Sequence, residues 1–303
     1  MKSPDVAVIV PARNEAPRIG GCLDSIHQAL EYAGVTEAEV IVVDDESSDE
    51  TSEVARAHGA VAARQSPRRG PLAAWTFGVA NSSAPLLFFV DADCRVDKAA
   101  FAALLPSFAR PAVGIVAARG EPERGRPVNS LVERSATFSA LILHEIKSRL
   151  ASHDFLPIGK LMAVRREAWI EGDHRWPCDR VIASRAKQAG WEVMYAAEAV
   201  VYYTPVETYS ELRSDYIRTV FAQALLCSDW AEPLPPGVVR RAAFTSLLRQ
   251  PLSGAAWAAL RARLWSERAS GRMRAADGYA RWDRRPDSTL SHQGADKKSG
   301  VRA

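Results

Sequence analysis

The run Leu86-Leu-Phe-Phe-Val-Asp-Ala-Asp93 ends an apolar stretch in two carboxylates one residue apart. Read as the end of a strand, it turns Asp91 and Asp93 to the same side, because side chains alternate along an extended chain. Two carboxylates facing one point suit a hard divalent cation, held directly or through water. Ala92, between them, turns into the core. The competing reading is an exposed turn in which Asp93 and Asp97 cap a helix from Lys98 to Ser107. A bare pair of aspartates does not decide between the two.

Two further polar segments close apolar runs in the same way. Asp44-Asp45 follows Val40-Ile-Val-Val43, and a carboxylate placed there accepts from ribose hydroxyls or from the imide N–H of a uracil. Ser47 and Glu50, three residues apart, match a capping box for a helix through Val54 to His58 that Gly59 ends. Pro11-Ala12-Arg13-Asn14-Glu15 follows Val6 to Val10 and is, at its plainest, a turn before a helix.

For these segments to meet, the runs before them must be neighbouring strands with their ends on one edge of a sheet. Val6 to Val10, Val40 to Val43, Val61 to Arg64, Leu86 to Val90 and Val113 to Ala117 alternate with amphipathic stretches, the pattern of parallel strands sandwiched by helices. Ile19, Cys22, Leu23, Ile26 and Leu30 recur at helical spacing, and Gly34 stops that helix. Ligands of open α/β sheets bind at the C-terminal strand ends, where all three polar segments fall. The second half reads as an exposed loop from Glu121 to Pro127, a helix from Val128 to about Leu150 and a loop from Ser152 to Gly159. A short element from Leu161 to Val164 and a helix from Arg166 to Ile170 follow. Asp179 to Ala189 is helical and closed by Gly190. Val193 to Tyr203 is a strand pair or one bent strand, and Tyr209 to Trp230 is a helix broken by Pro233, Pro235 and Pro236.

Composition narrows the class. With 303 residues, 47% hydrophobic and 25% charged, the chain buries a sizeable core, which excludes disorder for most of it. Cys22, Cys94, Cys178 and Cys227 form no CxxC pair and no histidine stands at zinc-ligand spacing, which argues against a structural metal or a disulfide scaffold. A reducing, cytoplasmic setting is expected, without a secretion signal and without a membrane span. Net charge is +3, but Val239 to Arg285 holds eleven arginines against three acidic residues. Arginine alternates there with Leu, Trp and Ala, as in Ala259-Leu-Arg-Ala-Arg-Leu-Trp265. Such a segment either packs on the main domain with arginine outward or lies on an anionic membrane face. No recognised module accompanies the charge, so nucleic acid is not an expected partner.

Taken together, Val8-Ile-Val-Pro-Ala-Arg-Asn-Glu15, Val42-Val-Asp-Asp-Glu-Ser-Ser-Asp-Glu-Thr51, Gly70 to Gly78 and Phe88-Phe-Val-Asp-Ala-Asp93 resemble, in order and spacing, the successive signatures of the family 2 glycosyltransferases. The resemblance covers roughly Val6 to Tyr203. It implies the GT-A fold, an α/β, Rossmann-like mixed sheet sandwiched by helices, here with a C-terminal helical extension. The catalytic domain is then 1–230, with a nucleotide-sugar half of about 1–120 and an acceptor half of about 121–230. A basic helical extension, 231–285, and a disordered tail, 286–303, follow it.

The resemblance also implies roles. Pro11, Ala12, Arg13, Glu15, Asp44, Asp45, Arg69, Asp91 and Ala92 would bind the nucleotide sugar, a UDP-sugar first. Asp91 and Asp93 would hold Mg²⁺ or Mn²⁺ on its diphosphate, with Arg68 or Arg69 offsetting leaving-group charge. Asp179 would be the general base for an inverting, single-sugar transfer. Gly159 and His153 would line the acceptor pocket, for a small molecule, a glycan or a lipid-linked acceptor at the inner membrane face. The sequence departs from the pattern at Glu46, where Gly is usual, at Thr76 for Asn and at Cys178 for Glu. Tyr202-Tyr203 occupies a stretch where some relatives supply a histidine to the metal. Two rivals follow: a catalytically silent nucleotide-sugar-binding relative, and a nucleotidyltransferase, which the missing Gly-rich phosphate loop disfavours.

Overall fold

The computed structural model describes residues 5–123, 130–150, 159–170, 178–217 and 236–273. The first half alternates strand and helix as β1 (Val6–Ala12), α1 (Ala16–Tyr32), β2 (Ala38–Asp45), α2 (Thr51–Ala57), β3 (Val61–Gln65), α3 (Pro71–Ala80) and β4 (Leu86–Val90). The short β5 (Cys94–Val96), α4 (Ala100–Leu104) and β6 (Val113–Pro122) follow. The second half contains α5 (Leu131–Arg149), β7 (Leu161–Arg165), α6 (Cys178–Gln188) and β8 (Glu192–Tyr203). Helical residues 209–217 (α7), α8 (Pro236–Arg249) and α9 (Pro251–Ala269) complete it.

The strands form one mixed sheet in the order β3-β2-β1-β4-β7-β6-β8-β5. All five runs expected as parallel strands point the same way, β6 reaching that direction through the antiparallel β7. β5, which the alternation pattern did not separate from a turn, pairs antiparallel with the end of β8. β8 is one strand: its parallel pairing with β6 runs to Ala118↔Ala196, then resumes at Arg119↔Val200, so an irregularity at 197–199 bends it.

Alternation along the strands splits the core into two faces. Val8, Val10 and Phe88 pack against α1 and α4 through Leu23, Ile26 and Phe101, the Phe88 and Phe101 rings 4.6 Å apart. Ile9, Val43 and Phe89 face α3, α5 and α6, where Phe89 stacks on Trp169 at 5.0 Å and meets Trp75 at 5.0 Å. Each such aromatic contributes about 2 kcal/mol by leaving water. Gly78 lets α3 approach β1 closely: a Cβ there would lie 2.5 Å from Ile9 Cγ2.

Several local expectations are revised. The Ser47/Glu50 capping box does not form; α2 starts at Thr51 behind Glu50, which makes no side-chain cap. Ser47 is committed elsewhere, its hydroxyl accepting the Asn14 amide at 3.0 Å and its amide donating to Asp44 Oδ1 at 2.7 Å. A capping box does open α5, where Ser130 accepts from the Glu133 amide and Glu133 from the Ser130 amide. The helix expected from Lys98 to Ser107 is α4 followed by a 3-10 turn, Leu105–Ala109, with Pro106 inside the change of winding. Arg166–Ala168 is likewise a single 3-10 turn. The helix expected from Tyr209 is described to residue 217; its continuation to Trp230 and the tail 286–303 lie outside the described residues.

The basic extension packs on the main domain. Gly254 lets α9 approach α5, with Phe138 and Trp257 rings 5.8 Å apart, and Arg249 pairs with Glu145. Arg261 lies over Tyr216 and Trp257, while Arg213 and Arg263 converge on Glu267. The outward face still exposes Phe244 (63%), Leu248 (70%) and Leu252 (73%). Among the described residues no helix is long and apolar enough to cross a membrane.

Candidate functional site

The C-terminal ends of β1, β2 and β4 lie side by side, because β1 pairs in parallel with both neighbours. The first strand end is bound to the second by crossed hydrogen bonds. Glu15 N donates to Thr51 Oγ1 at 2.9 Å, Ser48 N to Asn14 Oδ1 at 2.8 Å and Ala16 N to Asp49 Oδ2 at 3.2 Å. Asn14 and Glu46 hold positive φ (54° and 63°) within this weave. Left-handed backbone is uncommon outside glycine, and Asn tolerates it better than Glu.

The two aspartates of the second segment turn inward. Asp44 is 1% exposed, and its oxygens accept from Ser47 N at 2.7 Å and Ser52 Oγ at 2.5 Å. Asp45 is buried and accepts the backbone amides of Arg69 at 2.8 Å and Gly70 at 2.9 Å, with Arg68 Nε at 3.9 Å. Pro11 is half-buried and Ala12 buried at the end of β1. Arg13 is half-buried beside them, whereas the Arg69 side chain is exposed.

At the third strand end Asp91 and Asp93 do converge, but through a turn rather than by strand alternation. β4 ends at Val90, and the Cys94 amide donates to the Asp91 carbonyl at 3.2 Å. Ala92 is buried, as expected. The carboxylates meet at Lys160: its ammonium lies 3.0 Å from Asp91 Oδ2 and 3.4 Å from Asp93 Oδ1. Sequence reasoning missed Lys160. The signal becomes legible only once β7 is known to pair antiparallel with β4, Val90 opposite Leu161, which brings the preceding residue to Asp91.

Charge in this cluster is strongly perturbed. Burial draws the Asp93 carboxyl upward, yet Lys160 and the Cys94 thiol together hold it below its ordinary value. Burial pulls Lys160 down, and the two aspartates more than reverse that, leaving it well above an ordinary lysine. Glu15 is raised, first by burial and then by Asp93, although Arg18 binds it at 2.7 Å.

Asp91 and Asp93 are the groups that suit a hard divalent ion, and Cys94 Sγ completes a set whose ligand atoms lie within 4.8 Å of one another. Burial keeps Cys94 protonated, with its pKa well above the ordinary value, and metals take the thiolate. Tyr203, paired with Cys94 across β5 and β8, has its phenol pushed up to about 12 by burial. A two-carboxylate set fits an ion that retains water and phosphate ligands, as Mg²⁺ commonly does.

Asp179 opens α6 and accepts the Arg180 amide at 2.9 Å. Burial raises its carboxyl; Arg180 and Lys147 oppose that, and the negative charge of Asp91 adds to it, so the two carboxylates lie within electrostatic range of each other. Lys147, on α5, is buried and lowered to about 8 by desolvation. Gly159 is exposed, and a Cβ there would lie 3.8 Å from Lys147 Nζ. Lys147 was not anticipated, since a lysine in an amphipathic helix ordinarily faces water. His153 lies outside the described residues.

The Glycosyl transferase family 2 model matches residues 7–172. An uncharacterized glycosyltransferase of Mycobacterium bovis is 29% identical over 207 residues, covering 66% of this chain and 85% of that protein. The 4,4'-diaponeurosporenoate glycosyltransferase of Staphylococcus haemolyticus is 33% identical over 112 residues, covering 35% of this chain and 28% of its own length. Among solved structures, a mannosyltransferase from Pyrobaculum calidifontis in complex with GDP-Man and Mn²⁺ superposes with a TM-score of 0.60 at 21% identity, covering 94% of this chain and 89% of that one. Glucosyl-3-phosphoglycerate synthase from Mycobacterium tuberculosis, in complex with Mn²⁺, UDP-Glc and phosphoglyceric acid, gives 0.54 at 20% identity, covering 74% and 80%. At these identities the two structures establish the GT-A type of fold.

Proposed function

The chain belongs to glycosyl transferase family 2, and we propose that it moves one sugar from a nucleotide-sugar donor, a UDP-sugar first, to an acceptor with inversion at the anomeric carbon. The observation that carries this reading is the meeting of Asp91 and Asp93 at the C-terminal strand edge, with Asp179 on α6 within electrostatic range of Asp91. The solved relatives bound to UDP-Glc or GDP-Man together with Mn²⁺ support a donor of that chemistry.

The parts divide as follows. The β1 and β2 ends, with Pro11, Ala12, Arg13 and Glu15, form the nucleotide floor. Asp44 and Asp45 act from below by fixing the loops, since their oxygens are engaged by protein groups. Asp91 and Asp93 would hold Mg²⁺ or Mn²⁺, which when bound offsets negative charge on the departing diphosphate. Arg68 and Arg69, on the loop pinned by Asp45, add positive charge on the same edge. Asp179 takes the acceptor proton in its ionised form, and Lys147 stabilises that form. Gly159 borders the acceptor side. Residues 1–230 are the catalytic unit, with the nucleotide-sugar half first.

The α8–α9 pair supports a lipid-linked acceptor. Phe244, Leu248 and Leu252 are exposed beside Arg240, Arg241 and Arg249, an apolar strip with basic flanks that suits an anionic membrane surface.

Thermal denaturation with UDP-, GDP- and dTDP-sugars, each with Mn²⁺, Mg²⁺ or chelator, tests the donor assignment. A ligand that binds only the folded state raises its melting temperature. Stabilisation by one donor class only with metal is expected, followed by sugar transfer under the same conditions. Stabilisation without turnover on any acceptor would favour a binding module, and no response to any donor would sink the assignment.

A further inference from the structure

Lys160 brings a charge to the site that the transfer chemistry above does not use. Its ammonium bridges Asp91 Oδ2 and Asp93 Oδ1 at 3.0 and 3.4 Å, the place where a divalent ion shared by both carboxylates would lie. Backbone structure sets this position. Lys160 directly precedes β7, whose first residue pairs with the last of β4, and its carbonyl accepts the Asp91 amide at 3.1 Å. The Tyr203 ring, its centroid 5.8 Å from the ammonium, presents the aromatic cloud that favours a cation there. Cys94 donates its S–H to Asp93 Oδ1 at 3.4 Å, and Glu15 and Arg18, which also act on Asp93, form an ion pair of no net charge at 2.7 Å.

The charges then decide the order of events. Two carboxylates and one ammonium sum to one negative charge. A divalent ion added alone would bring a like-charged ammonium against itself in a half-buried site. A diphosphate supplies anionic oxygens for both cations. We infer that Lys160 is a resident counter-ion of the Asp91–Asp93 pair, which holds the divalent ion off until a nucleotide diphosphate arrives and then moves onto the diphosphate oxygens. The inference rests on the nucleotide-sugar reading of the site. Metal and diphosphate binding are therefore linked, each strengthening the other by the same factor.

Mn²⁺ titration of the full chain, followed by the electron paramagnetic resonance of free Mn²⁺, tests this with and without UDP or GDP, the ion held by free nucleotide being subtracted. The wild type and Lys160→Arg should bind Mn²⁺ weakly alone and at least about tenfold more tightly with nucleotide. Lys160→Met should bind Mn²⁺ without nucleotide at least about tenfold more tightly than the wild type. Adding Asp91→Asn to Lys160→Met should remove that gain, placing the ion at the pair. Equal Mn²⁺ affinity of wild type and Lys160→Met without nucleotide would overturn the inference. Lys160→Gln, closer in polarity, repeats the comparison should the methionine variant fold poorly. A gain in Lys160→Met with no response of any form to UDP or GDP keeps the counter-ion role and overturns the diphosphate reading instead.

Discussion

The Asp45 carboxylate accepts the backbone amide of Gly70 at 2.9 Å, tying the end of β2 to the start of α3 across 25 positions of chain. The same carboxylate takes the Arg69 amide, so one buried side chain shapes the basic loop beside the site. Asp45→Ala leaves two amides without their acceptor and is expected to cost about 3 kcal/mol. Urea unfolding measures this, and Asp45→Asn, which keeps one acceptor oxygen, should lose less. A fully stable Asp45→Ala would show that the loop is held by other contacts.

With Asp179 as the proposed base, its carboxyl sets the expected pH dependence of transfer. Burial raises its carboxyl above the ordinary aspartate value, and a base works only when ionised. Activity is therefore expected to climb as pH rises through that raised value and then level off. Stability carries the opposite sign: a raised carboxyl favours the fold fully below its unfolded pKa, and that contribution is lost as pH rises through the folded one. Asp179→Asn should lower turnover by about 10²–10⁴ while donor affinity persists. Steady-state kinetics beside donor titration separates the two, and unchanged turnover would remove Asp179 from the base role.

Lys147 is expected to be costly to the fold. Its value, lowered to about 8 from 10.5, means stability is present above the unfolded pKa and lost as pH falls through about 8. Lys147→Met should therefore stabilise the protein near pH 7 by on the order of 3 kcal/mol, with the gain shrinking between pH 8 and 10.5. It should also move the acid limb of activity upward, because Asp179 loses an opposing charge. Paired pH-dependent unfolding of variant and parent checks the sign; a destabilised variant at neutral pH contradicts it.

Gly78→Ala forces a methyl group to within 2.5 Å of Ile9 Cγ2, in the buried centre of the sheet. A loss of about 1–3 kcal/mol is expected from overpacking. Combining it with Ile9→Ala should restore part of the loss relative to the sum of the single changes.

Membrane contact is testable at Phe244 and Leu248. Changing both to Ser should reduce flotation with phosphatidylglycerol vesicles at least about tenfold, and neutral phosphatidylcholine vesicles should bind weakly throughout. Arg261 is a poor probe for this, because it lies over Tyr216 and Trp257 within the helix packing. Unchanged flotation would leave the extension as a packing element of the main domain.

What the sequence disclosed follows from the range over which each signal acts. The runs around Val8, Val42 and Phe88 carry their own strand character, and Asp91-Ala92-Asp93 marks its strand end by adjacency alone. The capping-box pattern proved less secure: Ser47-x-x-Glu50 fits it, but Asn14 claims the Ser47 hydroxyl from 33 positions away. Lys160 and Lys147 were illegible for the same reason. Their meaning depends on β7 lying against β4 and on Lys147 of α5 lying within electrostatic range of Asp179 on α6, and no local spacing encodes either.

Cys94 stands opposite Tyr203 in the antiparallel pairing of β5 with β8, joining positions more than a hundred residues apart at the foot of the Asp91 to Asp93 turn. A chain emerging from the ribosome completes β1 to β4 long before β8 exists. The turn therefore acquires its final form late, when β8 arrives to hold β5 in the sheet. During synthesis the nascent chain therefore passes through a stage in which β1 to β4 are complete while the acidic turn still lacks the strand that pairs with β5.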